Sequence, residues 1–178
     1  MNYTFKDRFE VAAASEPRVL GFLYRFFPGS KIERSSGLLD LSGADWVVRL
    51  RDGETVLIDS KERTKGCSKY WGNGPEFALE TDSVVGKKIG WTLSESSRAD
   101  YILFYFDETD CGDAYLVPFQ LLRIAFRSHL EKWLAEFKSD YQSSDGWRSR
   151  CVFVPMRTVW EAIFRASKTP AQISPSGG

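Results

Sequence analysis

The segment from residue 43 to residue 63, GADWVVRLRDGETVLIDSKER, places charged side chains at both ends of an apolar hairpin. Asp45 stands at its entrance, and Asp59 and Lys61 stand at its exit. Side chains two positions apart on a strand point to one face, so Asp59 and Lys61 share a face. Two carboxylates held opposite each other repel unless a cation joins them, and Mg²⁺ prefers such oxygen ligands. A metal there can activate water and polarise a phosphate, while Lys61 orients the nucleophile or stabilises developing charge.

The turn of the hairpin decides whether Asp45 joins this face. A two-residue loop at positions 52–53 places Asp45 opposite Ser60 and turns it away from Asp59. A three-residue loop at positions 51–53, with its glycine left-handed, places Asp45 opposite Asp59. Catalysis by all three charged groups requires the second arrangement or a bulge with the same effect.

The same three charges also have a structural explanation. Asp45 and Lys61 could be solvated charges at strand ends, with Asp59 paired to Lys61. For an isolated D-x-K sequence this explanation is the commoner one, so the elements around the hairpin matter.

Hydrophobic periodicity predicts one mixed domain over residues 1–168 and a disordered tail over residues 169–178. Residues 3–27 indicate two helices with a break at 15–17, where Ser15 can cap and Pro17 suits a first turn. The sequence ADYILFYF, residues 99–106, is almost wholly β-branched or aromatic and predicts a buried strand. Further strands are expected in 31–43, 76–81, 114–117 and 151–155, loops at 65–74 and 87–97, and helices at 118–137 and 158–165.

The pattern of Asp45 followed by Asp59-Ser60-Lys61 resembles the PD-(D/E)XK nuclease superfamily, with 13 residues between the two aspartates. In that superfamily an aspartate opens one strand and the (D/E)-x-K triplet lies on the next. Ala44 stands where the name-giving motif has proline. The segments FALE, GKKIGW and ADYILFYF are similar to those of small phage-encoded members. The resemblance implies an α/β (α+β) fold with a restriction-endonuclease-like αβββαβ core, a mixed central sheet flanked by helices.

The resemblance also implies a site. Asp45, Asp59 and the Ser60 carbonyl would hold Mg²⁺ or Mn²⁺, and Lys61 would assist the attacking water. Family members often add a glutamate, for which Glu80 and Glu10 are the candidates here. A solvated charge is the alternative for each of these two glutamates.

Cations flank the hairpin in sequence and suit contacts to a phosphate backbone, with aromatic residues between them that could stack on exposed bases. The alternative is solvated loops whose aromatic side chains fold into the core. The candidate nucleic-acid contacts are Arg63, Lys65, Lys69, Lys87 and Lys88.

Composition and residue counts argue for or against other classes of protein, such as triad enzymes, zinc proteins and secreted or membrane proteins. The chain has 24 basic and 24 acidic residues, a balance that does not by itself indicate a nucleic-acid partner. His129 is the single histidine, which argues against triad chemistry, and three separated cysteines give no zinc motif. The charged beginning MNYTFKDRFE differs from a signal peptide, and no apolar run would span a membrane, so we expect a cytoplasmic protein.

Together these features predict a metal-dependent deoxyribonuclease that hydrolyses DNA phosphodiesters for a phage or mobile element in a bacterial cytoplasm. A homodimer is possible, because many small nucleases act as symmetric pairs. The alternative is a catalytically inactive protein on the same fold that binds nucleic acid or a host protein.

Overall fold

Four α-helices and nine strands make up the part of the chain that the computed structural model describes, residues 5–63, 66–72, 74–108, 112–144 and 147–168. Their order is α1 (Phe5–Phe26), β1 (Lys31–Arg34), α2 (Leu38–Leu41), β2 (Trp46–Arg49), β3 (Thr55–Arg63), a 3₁₀ helix (Cys67–Tyr70), β4 (Glu76–Val84), β5 (Lys88–Ile89), β6 (Tyr101–Phe106), β7 (Asp113–Pro118), α3 (Phe119–Glu136), β8 (Ser139–Ser144), β9 (Trp147–Pro155) and α4 (Met156–Lys168).

The strands form two sheets. The central sheet has the order β1-β2-β3-β6-β7, in which β3 and β6 are parallel and the other neighbours are antiparallel. The second sheet, β5-β4-β9-β8, is antiparallel throughout. The predicted mixed α+β fold, with a mixed central sheet flanked by helices, is therefore confirmed.

Each face of the central sheet has its own core. On one face, Val19 and Leu23 of α1 pack against buried residues of the sheet that include Trp46 and Ile58. On the other face, buried residues of β6 pack with apolar residues of β4, β9, α3 and α4. Asp59 aligns with Ile102 and Lys61 with Phe104 in the parallel β3–β6 pair, and both partners belong to this second core. Asp59 and Lys61 therefore point toward the second sheet.

The connection from β3 to β6 differs from the αβββαβ order. In that order a helix lies between the third strand and the parallel fourth strand. Here the described part of the connection contains the 3₁₀ helix, β4 and β5. The helices that follow, α3 and α4, contribute to the core on that side instead.

Other differences from the sequence prediction have local causes. The predicted break at residues 15–17 is wrong, because α1 continues through Pro17. Ser15 donates its hydroxyl to Glu62 of β3, and Val19 and Leu23 are fully buried, so packing on the sheet outweighs the helix-breaking effect of proline. The polar strand β8 and the two-residue β5 were missed, since both are short edge strands without an apolar alternation. Residues 169–178, the predicted tail, lie outside the described residues.

The hairpin has the register that places its two aspartates together. Paired positions run from Arg49 with Thr55 to Trp46 with Ile58. The loop is three residues long: the Leu50 amide donates to the Glu54 carbonyl at 2.8 Å, and Gly53 has φ 91°. The three-residue loop is therefore the arrangement that forms. The paired positions end at Trp46 with Ile58, and the Asp45 carboxylate lies near enough to Asp59 to raise its pKa.

We expect the stability of Gly53 variants to depend on how well the new residue tolerates the left-handed backbone conformation. Gly53→Val should lower the free energy of unfolding by about 1–2 kcal/mol, whereas Gly53→Asn should cost less. A Cβ at this position would meet no atom within 4 Å, so steric clash with other residues does not contribute. Urea unfolding measures both variants, and a valine variant as stable as the wild type would contradict the assigned turn.

Candidate active site

A buried ion pair forms the centre of the candidate site. Asp59 is 3% exposed, and its Oδ1 accepts a hydrogen bond from Lys61 Nζ at 2.7 Å. The Lys61 side chain is 32% exposed, so it connects this buried carboxyl group to solvent. The two side chains share the face of β3 that points toward the second sheet.

Asp45 lies where the pairing of β2 with β3 ends. Its amide donates to the Ile58 carbonyl at 2.8 Å, and its Oδ2 accepts hydrogen bonds of 2.7 Å from both the amide and the hydroxyl of Ser60. The Asp45 carboxylate thus accepts the hydrogen bond from the Ser60 amide that a backbone carbonyl of β2 would accept if the pairing continued. Because the amide and carbonyl of one strand residue point to the same edge, the Ser60 carbonyl also points toward Asp45.

Charge and burial shift the pKa values of the central pair. Burial raises the pKa of Asp59 to about 7; the Lys61 ammonium acts to lower it, and the nearby Asp45 carboxylate raises it. Burial acts to lower the pKa of Lys61, but the carboxylates of Asp59, Asp45 and Glu80 outweigh it and the pKa is raised. Near neutral pH, Asp59 therefore gains and loses its proton while Lys61 stays positively charged.

Glu80 of β4 reaches the same place from the second sheet. Its Oε2 accepts hydrogen bonds from the Trp91 amide at 3.1 Å and from the Ser83 hydroxyl at 2.6 Å. The Trp91 ring lies 5.1 Å from Lys61 Nζ, measured to the ring centroid. A Cβ on Gly90 would clash with the Glu80 carbonyl oxygen, so only glycine allows this close approach. The structure thus brings Glu80 together with Asp45, Asp59 and Lys61.

Glu62, which sequence analysis did not select, lies on the opposite face of β3. It accepts a hydrogen bond from Ser15 of α1, and burial raises its pKa against the lowering effects of that bond and of Arg34. Asp45 also raises it, which places this carboxyl group near the site. Glu10, the predicted helix glutamate, lies in α1 five residues before Ser15, and its side chain is outside the described part of the structure.

The predicted cationic residues occupy different surroundings. Arg63 is partly buried with its guanidinium carbon 5.4 Å from the centroid of the Phe153 ring, and burial lowers its pKa. Lys69 is exposed on the 3₁₀ helix, and Lys87 and Lys88 are exposed at the turn between β4 and β5. Lys65 lies outside the described residues. Arg63 therefore faces the second sheet, whereas the three described lysines face solvent.

The candidate site offers a metal two carboxylates and one backbone carbonyl, which is fewer protein ligands than a complete coordination shell needs. Within the described ranges, no group of three or more His, Cys, Asp or Glu residues is arranged to hold a metal ion. Asp45 and Asp59 supply two carboxylates, and the Ser60 carbonyl is the further oxygen directed toward this edge. A hard cation prefers oxygen ligands and usually keeps several waters, so this donor set fits Mg²⁺ or Mn²⁺.

Comparisons with protein-family models, curated proteins and solved structures found no match for this chain. The resemblance to the PD-(D/E)XK superfamily therefore remains a prediction from the sequence motifs. None of the helices in the described ranges has the length and apolar composition needed to cross a membrane.

The raised pKa of Asp59 predicts that the metal-free protein loses stability as the pH rises. The folded protein releases this proton at about pH 7, whereas an aspartate with its ordinary pKa of 3.8 releases it earlier. Between these values the folded state holds the extra proton, so the free energy of unfolding falls as the pH increases. We expect Asp59→Asn to remove this loss, which is on the order of a few kcal/mol.

Urea unfolding in EDTA at about pH 4 and about pH 8 measures this difference. Asp52→Asn is the matched control, because Asp52 lies on the exposed turn of the same hairpin. Parallel pH profiles for the wild type and Asp59→Asn would contradict the assigned protonation.

Proposed function

We propose that this protein is a divalent-metal-dependent deoxyribonuclease that hydrolyses DNA phosphodiester bonds. The observation that supports this best is the proximity of three charged groups of the hairpin: Lys61 Nζ lies 2.7 Å from Asp59 Oδ1, and the Asp45 carboxylate raises the pKa of both groups. We place it in the cytoplasm of a bacterial cell, encoded by a phage or mobile element. The family resemblance supports this placement.

In this proposal Asp45, Asp59 and the Ser60 carbonyl hold Mg²⁺ or Mn²⁺, with DNA as the substrate. A metal bound by these oxygens would supply a water of lowered pKa and would polarise the phosphate. Lys61 is positively charged at neutral pH, so it acts as a hydrogen-bond donor rather than as a base. It orients the attacking water or stabilises charge on the phosphate.

Glu80 of the second sheet and Trp91, which follows β5, position Lys61. Glu80 is held by two hydrogen bonds, and its charge favours the ammonium form of Lys61. The Trp91 ring beside the ammonium limits its movement and adds a cation–π attraction. Both groups restrict Lys61 to the edge of the site, next to the buried Asp59.

One observation favours the alternative of a catalytically inactive protein that binds nucleic acid or a host protein. Asp45 already accepts two hydrogen bonds from Ser60, and Asp59 is already paired with Lys61. These contacts satisfy the charged groups without a metal. The two candidates differ in whether DNA is cleaved, so a cleavage assay separates them.

We expect Asp45→Asn and Lys61→Gln each to lower the rate of magnesium-dependent DNA cleavage by at least about a hundredfold. The first variant removes a metal-binding charge, and the second removes the ammonium while keeping a similar length. Single-turnover assays on linear, circular and branched DNA measure the rates and identify the preferred form.

Asp52→Asn is the control for this assay. It makes the same chemical change on the same hairpin, at a carboxylate that accepts a hydrogen bond from the Glu54 amide at 3.0 Å. Its cleavage rate should match the wild type. Unchanged cleavage in Asp45→Asn or Lys61→Gln would refute the catalytic roles, and a wild type that cleaves none of the three DNA forms would support the inactive alternative.

A further inference from the structure

The far end of the second sheet carries a cationic and aromatic surface that sequence analysis did not find. Arg150 of β9 pairs with Tyr141 of β8 and, on its other side, with Asp82 of β4. The Val85 amide donates to the Arg148 carbonyl at 2.8 Å, which brings the β4–β5 turn to the same end of the sheet. We call Tyr141, Arg148 and Arg150 the β8–β9 surface.

Two guanidinium groups flank one exposed ring on the β8–β9 surface. Tyr141 is 46% exposed, and the guanidinium carbons of Arg148 and Arg150 lie 4.1 Å and 6.0 Å from the centroid of its ring. Arg148 and Arg150 are two positions apart on β9 and so point to the same face. The ring orders both guanidinium groups by cation–π attraction.

The arginines of this surface form no ion pair in the described part of the chain, although Asp82 is the cross-strand partner of Arg150. The Asp82 carboxylate, on the strand beside Arg150, accepts a hydrogen bond from the Thr81 hydroxyl at 2.9 Å. Exposed Lys87 and Lys88 add positive charge at the nearby turn.

The β8–β9 surface is connected to the candidate active site by β4. Glu80 contributes to the site, and Val84 lies at the end of β4 beside Arg148. Three residues of strand lie between Glu80 and Val84, a distance of about 13 Å. Glu80 pairs with Cys151, the neighbour of Arg150 on β9, so the Glu80 side chain and the β8–β9 surface point to opposite faces of the second sheet.

We propose that Tyr141, Arg148 and Arg150 bind single-stranded nucleic acid. Arginine forms paired hydrogen bonds to phosphate oxygens, and an exposed tyrosine ring stacks on an unpaired base. A base inside a duplex offers no free face to such a ring, so the aromatic group selects a single strand. This inference rests on the proposed nuclease for its biological role, and it names the form of the substrate.

Binding without metal tests the proposal independently of cleavage. The probe is a labelled oligothymidylate of about 16 nucleotides, followed by fluorescence anisotropy in EDTA. The double variant Arg148→Gln/Arg150→Gln should bind at least tenfold more weakly. The slope of log Kd against log salt should fall by about 1.4, since each single-strand phosphate contact contributes about 0.7.

Variants of Tyr141 separate stacking from charge. Tyr141→Ala should weaken binding by about fivefold or more, whereas Tyr141→Phe keeps the ring and should bind as the wild type does. The matched control, Lys132→Gln/Arg157→Gln, removes two exposed positive charges from α3 and α4 and should change Kd by less than about twofold. Unfolding by urea checks that each variant is folded.

Four results would overturn the proposal. They are no binding by the wild type, unchanged binding by Arg148→Gln/Arg150→Gln, an equal loss in the control variant, and duplex DNA binding as tightly as the single strand. A wild type that binds the oligonucleotide through this surface but cleaves no DNA would refute the nuclease and leave the surface established. Cleavage that persists without binding at this surface would refute the surface alone.

Discussion

The contact between Asp59 and Lys61 is the interaction on which the rest of the site depends. Removing a carboxyl group from water is costly, and the pKa of Asp59, raised to about 7, reflects that cost. A well-packed apolar pair can stabilise such a position as well as a buried ion pair does. Placing a carboxylate there is therefore poorly explained by stability alone, and we attribute it to the proposed chemistry.

The two sheets hold this pair from different sides. β3 lies between β2 and the parallel β6, so the backbone around Asp59 is fixed on both edges. Asp45 continues the β2 edge with its side chain by accepting both hydrogen bonds from Ser60. The second sheet supplies Glu80. The site is thus assembled from a local hairpin and from a strand that reaches it only through the tertiary fold.

Local sequence signals were sufficient for the hairpin and insufficient for the contacts between sheets. The Asp52-Gly53 turn predicted a hairpin and left two registers open, and the requirements of the candidate site favoured the three-residue loop that the structure has. The strand at 99–106 and the helix α3 were likewise visible as apolar patterns. Each of these features is determined within a few residues of the chain, so it could be read without the tertiary fold.

Long-range features could not be read in this way. Ser15 and Pro17 indicated a break between two helices, yet burial of the following residues on the sheet keeps α1 continuous. Glu62 was overlooked because its environment comes from α1, and Tyr141 because β8 has no apolar pattern. These environments depend on which elements pack together, which a short sequence window does not contain.

Calorimetric titration of Mn²⁺ near pH 7, in two buffers with different heats of ionisation, tests the central claim most directly. A metal requires the ionised carboxylate, and the pKa of Asp59 is about 7, so binding should release part of a proton per site. The account predicts Mn²⁺ binding with this proton release in the wild type and the loss of both in Asp59→Asn. Absence of binding in the wild type, or binding of equal affinity in Asp59→Asn, would contradict it.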